Sequence, residues 1–256
     1  MVLAIIVLFV TVMASGLLVR VFPPEDGRWL KIALAFSGAY LFTITIIHLL
    51  PEVLINSPDP QVVGYWILAG FFLQLVLELF SHGIEHGHIH PHKNHNHNHG
   101  IGSTPFLLLG SLFIHSFLEG SILVEGGAHH HHGHDHGHSS STFYSVLIGI
   151  AIHHIPAAFA LMSVLLASLG NFKKAFLWLM IFAIGAPLGI FFSNVLLHDG
   201  AFQGTLYTAL TGLVAGNFLH ISTTILFETS PEHRFNRNKI IATLLGLVLA
   251  LASNWL

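Results

Sequence analysis

The residues with the most chemistry to offer stand in apolar company. In FIHSFLEGS, residues 113 to 121, His115 and Glu119 are four apart, so a helix sets both on one face. The flanking residues suit burial in a bilayer, where an acidic side chain at a helix centre costs roughly 2.5 to 3.5 kcal/mol on translocon-type scales. Such groups line pathways or hold counter-ions. Downstream, GIAIHHIPAAFALM carries adjacent His153 and His154, followed by Pro156. A mid-helix proline removes one backbone hydrogen bond and loosens the preceding turn, freeing a carbonyl there. A His/Glu pair and two further histidines suit a tetrahedral divalent cation of the zinc type, held by imidazole nitrogen and carboxylate oxygen at about 2.0 to 2.2 Å. Adjacent helical residues point about 100° apart. The expected ligands are therefore His115, Glu119 and His153, with His154 either a fourth ligand or a gating, proton-accepting neighbour. Ser116 is a weaker oxygen candidate. Each histidine alone is explained as well by a core imidazole bonded to a carbonyl; four such residues converging at one depth favour the ion.

The elements that position them are membrane helices. Of 256 residues, 53% are hydrophobic and 8% charged, and the mean hydropathy is +0.73. No water-soluble domain spares so few charges, so an integral membrane protein is expected. Apolar windows define eight spans at about 2 to 20, 30 to 50, 62 to 80, 105 to 124, 143 to 169, 175 to 197, 203 to 228 and 239 to 256. Breaks such as FPPEDGR and PEVLINSPDPQ separate them. The first span lacks a preceding basic segment and a clear cleavage site, and is expected to be retained. His115 lies about ten residues from the inner end of span four, and His153 and His154 about ten from the outer end of span five, which sets both near the bilayer midplane. GAYLFTITI, from Gly38, also lies beside GNFLHISTT, from Gly216, in spans that run in opposite directions. The fold expected is a single all-α transmembrane domain over residues 1–256. Its eight helices take a 3+2+3 arrangement, with inverted repeats of helices 1–3 and 6–8 around helices 4–5.

Charge gives the orientation. The nine Lys and Arg residues all lie in odd-numbered loops or at their edges. By the positive-inside rule those loops are cytoplasmic and both termini extracytoplasmic, most simply in the cytoplasmic or plasma membrane. Histidine is the outlier, at 22 residues. Two His-rich loops, 81–104 on the cytoplasmic side and 125–142 on the extracytoplasmic side, are expected to collect metal ions without being essential. There is no cysteine, so thiolate sites and disulfides are excluded. The formal charge of −3 is modest. The expected partners are a divalent ion and the lipid bilayer, with no nucleic acid; homodimerisation is left open.

HSFLEG in span four and HHIPAAFAL in span five resemble the paired signatures of the ZIP metal-ion transporters. HLLPE, residues 48 to 52, looks like that family's second-span motif, and AGNFLHISTTILFE like its seventh. Eight spans, outward termini and a His-rich loop between spans three and four also match. The resemblance implies transport of Zn²⁺, or of Fe²⁺, Mn²⁺ or Cd²⁺, toward the cytoplasm through a site between spans four and five. His115, Glu119 and His153 fall on the primary metal positions, and His154 on a position often Asn, Asp, Glu or Lys. Ala157 and Ala186, the latter before Pro187, stand where two-metal members carry ligands, and Ser116 replaces Asn. A single-ion site follows. Protonation of the histidines or Glu119 would weaken binding, so uptake is expected to depend on pH.

Other intramembrane polar groups are expected to be ordinary. Glu78, Glu228 and His48 lie near span ends, where they can reach water and where entry or exit ligands are the alternative reading, while Asn217 and His220 would line a cytoplasmic exit. Gly and Ala in AIGAPLG and GLVAG permit close helix packing. Three other functions could use histidines in a membrane. A cation-diffusion-facilitator exporter would carry HxxxD within a span, and no span has it; an intramembrane metallohydrolase would carry HExxH, which is absent, so no enzyme is expected. A metal-binding membrane sensor or storage protein using the His-rich loops is the alternative to transport.

Overall fold

The structure, a computed structural model, describes residues 1–22, 28–81, 104–124, 138–196, 203–227 and 237–253. Among these, eight helical rods follow the apolar windows: α1 (Val2–Leu18), α2 (Arg28–Ile55), α3 (Pro60–Ser81), α4 (Thr104–Ser121), α5 (His138–Leu169), α6 (Phe172–Leu196), α7 (Gln203–Phe227) and α8 (Arg237–Ala252). Apolar runs without a water partner must satisfy their backbone groups internally, and the helix does so within each segment. Segments of α2, α3, α5, α6 and α7 are long and apolar enough to cross a membrane, while α1 and Pro105–Ser121 of α4 are shorter apolar helices. Large aliphatic and aromatic side chains such as Phe72, Leu79, Leu244 and Val248 are exposed on the outside of the bundle. That is the surface of an integral membrane protein.

One boundary differs from expectation. The sequence breaks at Pro51, yet α2 continues to Ile55, because the backbone widens into a π-helical turn over Thr45–Leu49. There the Leu50 N–H bonds the Thr45 carbonyl, five residues back. A wider turn draws carbonyls away from the proline ring, which would otherwise clash with the residue four before it. His48 sits in that turn and is buried.

The helices meet in close seams. The most extensive pairings are α4 with α6, α3 with α7 and α2 with α8, while α1 lies against both α5 and α6. Glycines open the first three. A methyl group at Gly120 would land on the Ala186 carbonyl, one at Gly189 on the Phe117 carbonyl, one at Gly216 on the Ile67 carbonyl, and one at Gly246 on the Phe36 carbonyl. Backbone against backbone leaves no side chain to yield. Matched positions advance together along α3 and α7, from Ile67 beside Gly216 to Phe71 beside His220, so these two helices run in the same direction.

Two apolar clusters divide the interior. One takes Leu108 and Leu112 of α4 with Ala157 to Leu165 of α5; the other takes Ile122 and Leu123, just past α4, with Val146 to Ile150 of α5. Residues 115, 119, 153 and 154 fall between these sets on both helices. The polar layer is thereby enclosed from above and below by hydrocarbon.

Candidate metal centre

His115 and Glu119 project from one face of α4, and His153 and His154 from α5, one turn before Pro156. One ligand atom from each of His115, Glu119 and His153 lies within 4.8 Å of the others. Their exposures are 1%, 0% and 4%. Bulk water does not reach these groups, so their polar atoms are satisfied by one another, by an enclosed water or by an ion.

Glu119 is the hub. Its Oε1 is 3.1 Å from His115 Nε2, and its Oε2 is 2.7 Å from His154 Nε2. The carboxylate thus ties α4 to α5. The rings of His115 and His153 stand edge to face with centroids 5.7 Å apart, and His154 packs at 5.3 Å against Phe182 of α6. His154 lies outside the three-residue group and engages the opposite carboxylate oxygen. Its Nδ1 has no hydrogen-bond partner.

A third helix reaches the site. Asn217 of α7 sets its Nδ2 3.0 Å from His115 Nδ1. With that amide donating, Nδ1 is the bare nitrogen and the proton sits on Nε2, which faces Glu119 Oε1 at 3.1 Å. A cation at Nε2 requires the proton on Nδ1 instead. Asn217 Oδ1, buried and without a partner, becomes its acceptor once the amide turns over. Metal-bound histidines usually have this second support. The sequence had assigned Asn217 only to an exit lining; its spacing of three from His220, on one helical face, was the available signal.

The remaining candidates separate. Ser116, about 100° around α4 from His115, faces α6, where a methyl added at Gly185 would lie 3.1 Å from its Oγ. It belongs to the α4–α6 seam, not to the cluster. Ala157 is buried within an apolar cluster, and Ala186 offers its backbone to Gly120. Among the described residues, His115, Glu119 and His153 form the one group of three such ligands close enough to share an ion. Glu78, near the end of α3, holds His220 Nε2 at 2.7 Å, with side-chain exposures of 22% for Glu78 and 7% for His220. Near the opposite end of α7, the Tyr207 hydroxyl donates to Glu52 Oε1 at 2.8 Å. Glu228 and most of both His-rich loops lie outside the described residues.

Comparison with known proteins gives two findings. The family model described as ZIP Zinc transporter matches residues 103–254, which include all of α4 to α8. Protein zntD of Dictyostelium discoideum is 28% identical over 135 residues, 52% of this chain and 18% of that protein. The match thus spans less than a fifth of that relative.

Proposed function

Because the chain belongs to the ZIP zinc transporter family, we propose that it carries Zn²⁺ or a similar divalent ion across the membrane toward the cytoplasm through His115, Glu119 and His153 near the bilayer midplane. The observation that carries this is the buried His115, Glu119 and His153 group, with ligand atoms within 4.8 Å of one another inside apolar helices. A tetrahedral zinc with bonds of about 2.05 Å needs ligand atoms about 3.3 Å apart, so small rotamer changes suffice. The ion sheds most of its water on entry; two imidazoles and a carboxylate replace it. His154 holds the second carboxylate oxygen from α5 and keeps Glu119 aimed. The same donors accept Fe²⁺, Mn²⁺ and Cd²⁺, so selectivity rests on geometry and supply.

Alternating exposure of the site would use an inverted repeat. The helix pairings support one: exchanging α1, α2 and α3 for α6, α7 and α8, and α4 for α5, turns α2 on α8 into α7 on α3, and α1 on α5 into α6 on α4. In this arrangement α1, α4 and α8 cross the bilayer with the other five, and the basic residues keep the odd loops cytoplasmic. The test is Zn²⁺ uptake into proteoliposomes by the wild type and Glu119→Ala. Loss of uptake in the variant is expected; equal rates would overturn the site.

A further inference from the structure

Beyond the primary cluster, α3 and α7 hold a second pair of zinc-type donors. His220 Nε2 lies 2.7 Å from Glu78 Oε2, and the imidazole is wedged edge-on against Phe71 at 4.7 Å between centroids. His220 Nδ1 is buried and without a hydrogen-bond partner. Gln74, one turn before Glu78 on the same face of α3, is also buried. The pair is placed with respect to the primary site by two independent contacts. On α7, His220 follows Asn217 by three residues, about 4.5 Å along the axis, and Asn217 touches His115. On α4, Ser111, one turn before His115, donates to the carbonyl of Leu77, the residue before Glu78. Both contacts put the pair one helical turn from His115, toward the C-terminal ends of α3 and α7. Its polar atoms thus continue a file that runs from His154 through Glu119, His115 and Asn217.

We propose that Glu78 and His220 form a second, transient divalent-cation station, which receives the ion from His115 and passes it toward the loop that follows α3. This rests on the transport assignment above. Two protein donors with water completing the shell bind weakly, and a conducting path needs a site that releases as readily as it accepts. Glu78 is the more exposed partner, at 22% against 7% for His220. Glu78 is thus the less enclosed of the two donors, as the partner on the release side would be. A structural hydrogen bond alone would not require the carboxylate charge, since a neutral amide oxygen accepts equally from His220 Nε2–H.

That difference sets the experiment. The chain has no cysteine, so His220→Cys in the full-length reconstituted protein introduces a single soft ligand whose alkylation rate by a small maleimide can be followed with and without Cd²⁺. Cd²⁺ is expected to slow alkylation about tenfold, as occupancy of a donor pair would. Adding Glu78→Gln should abolish that protection, and adding Glu119→Ala should leave it in place. Absence of protection, or absence of alkylation in metal-free protein, would overturn the station. Glu78→Gln alone, which keeps the hydrogen bond, is expected to lower Zn²⁺ flux several-fold; wild-type flux would also overturn the proposal. If Glu119→Ala transports normally, the primary-site assignment falls, while protection of the introduced thiol still reports separately on Glu78 and His220.

Discussion

Asn217 supplies His115 with a contact from a third helix, and its amide can face the imidazole with a donor or an acceptor. Removing it leaves Nδ1 unsupported in a buried site. Asn217→Ala is therefore expected to raise the half-saturating Zn²⁺ concentration for uptake about 10- to 100-fold. Asn217→Asp, which retains an acceptor for Nδ1–H, should recover most of that loss; an unchanged Asn217→Ala would remove the support role. Ser116→Ala provides the contrast. Its Oγ faces Gly185 and has no hydrogen-bond partner, so half-saturation should move less than about twofold, as for substitutions away from any critical contact. A large shift would return Ser116 to the ligand set. The four candidates on α4 and α5 were legible because charged or imidazole groups are expensive in apolar helices. Asn217 was not, since an amide is cheaper to bury and its contact spans 102 positions in sequence. The contact between Glu78 and His220 was hidden for a related reason. Position along a span says nothing about which neighbour the side chain faces.

At the scale of helices, hydropathy was enough to locate all eight rods, because length and apolar character are properties of each segment alone. Their pairings depend on which glycines meet which carbonyls, and that is decided only on assembly. The continuation of α2 past Pro51 was equally hidden, since a π-turn has no residue signature here. The seams can be tested through their glycines. At Gly216 an added methyl meets the Ile67 carbonyl, a backbone atom that cannot rotate away. Gly216→Ala should cost about 1 to 3 kcal/mol, as overpacking does elsewhere, and lower the unfolding midpoint in detergent. Because residue 216 adjoins Asn217, Zn²⁺ affinity should fall with it. Gly110→Ala is the control: nothing lies within 4 Å of the added methyl. Its midpoint should match the wild type. Equal midpoints for both variants would mean that α3 and α7 do not approach as closely as the Gly216 seam requires.

For the molecule as a whole, direction of transport depends on which end of the polar file faces the cytoplasm. Helix polarity fixes the relative sides. The α2–α3 turn lies at the end of α3 opposite Glu78, while the α5–α6 turn lies at the N-terminal end of α6, which packs parallel to α4. These turns should therefore emerge on opposite faces, with Lys173 and Lys174 on the cytoplasmic one. The absence of cysteine makes this measurable with single introduced thiols at exposed positions. In intact cells, Pro58→Cys should react with a membrane-impermeant maleimide added outside. Lys174→Cys should react only after permeabilisation. The reverse pattern would invert the orientation and make Glu78 and His220 an entrance on the far side of His115. Labelling of both from outside would break the alternation of crossings on which the inverted repeat depends.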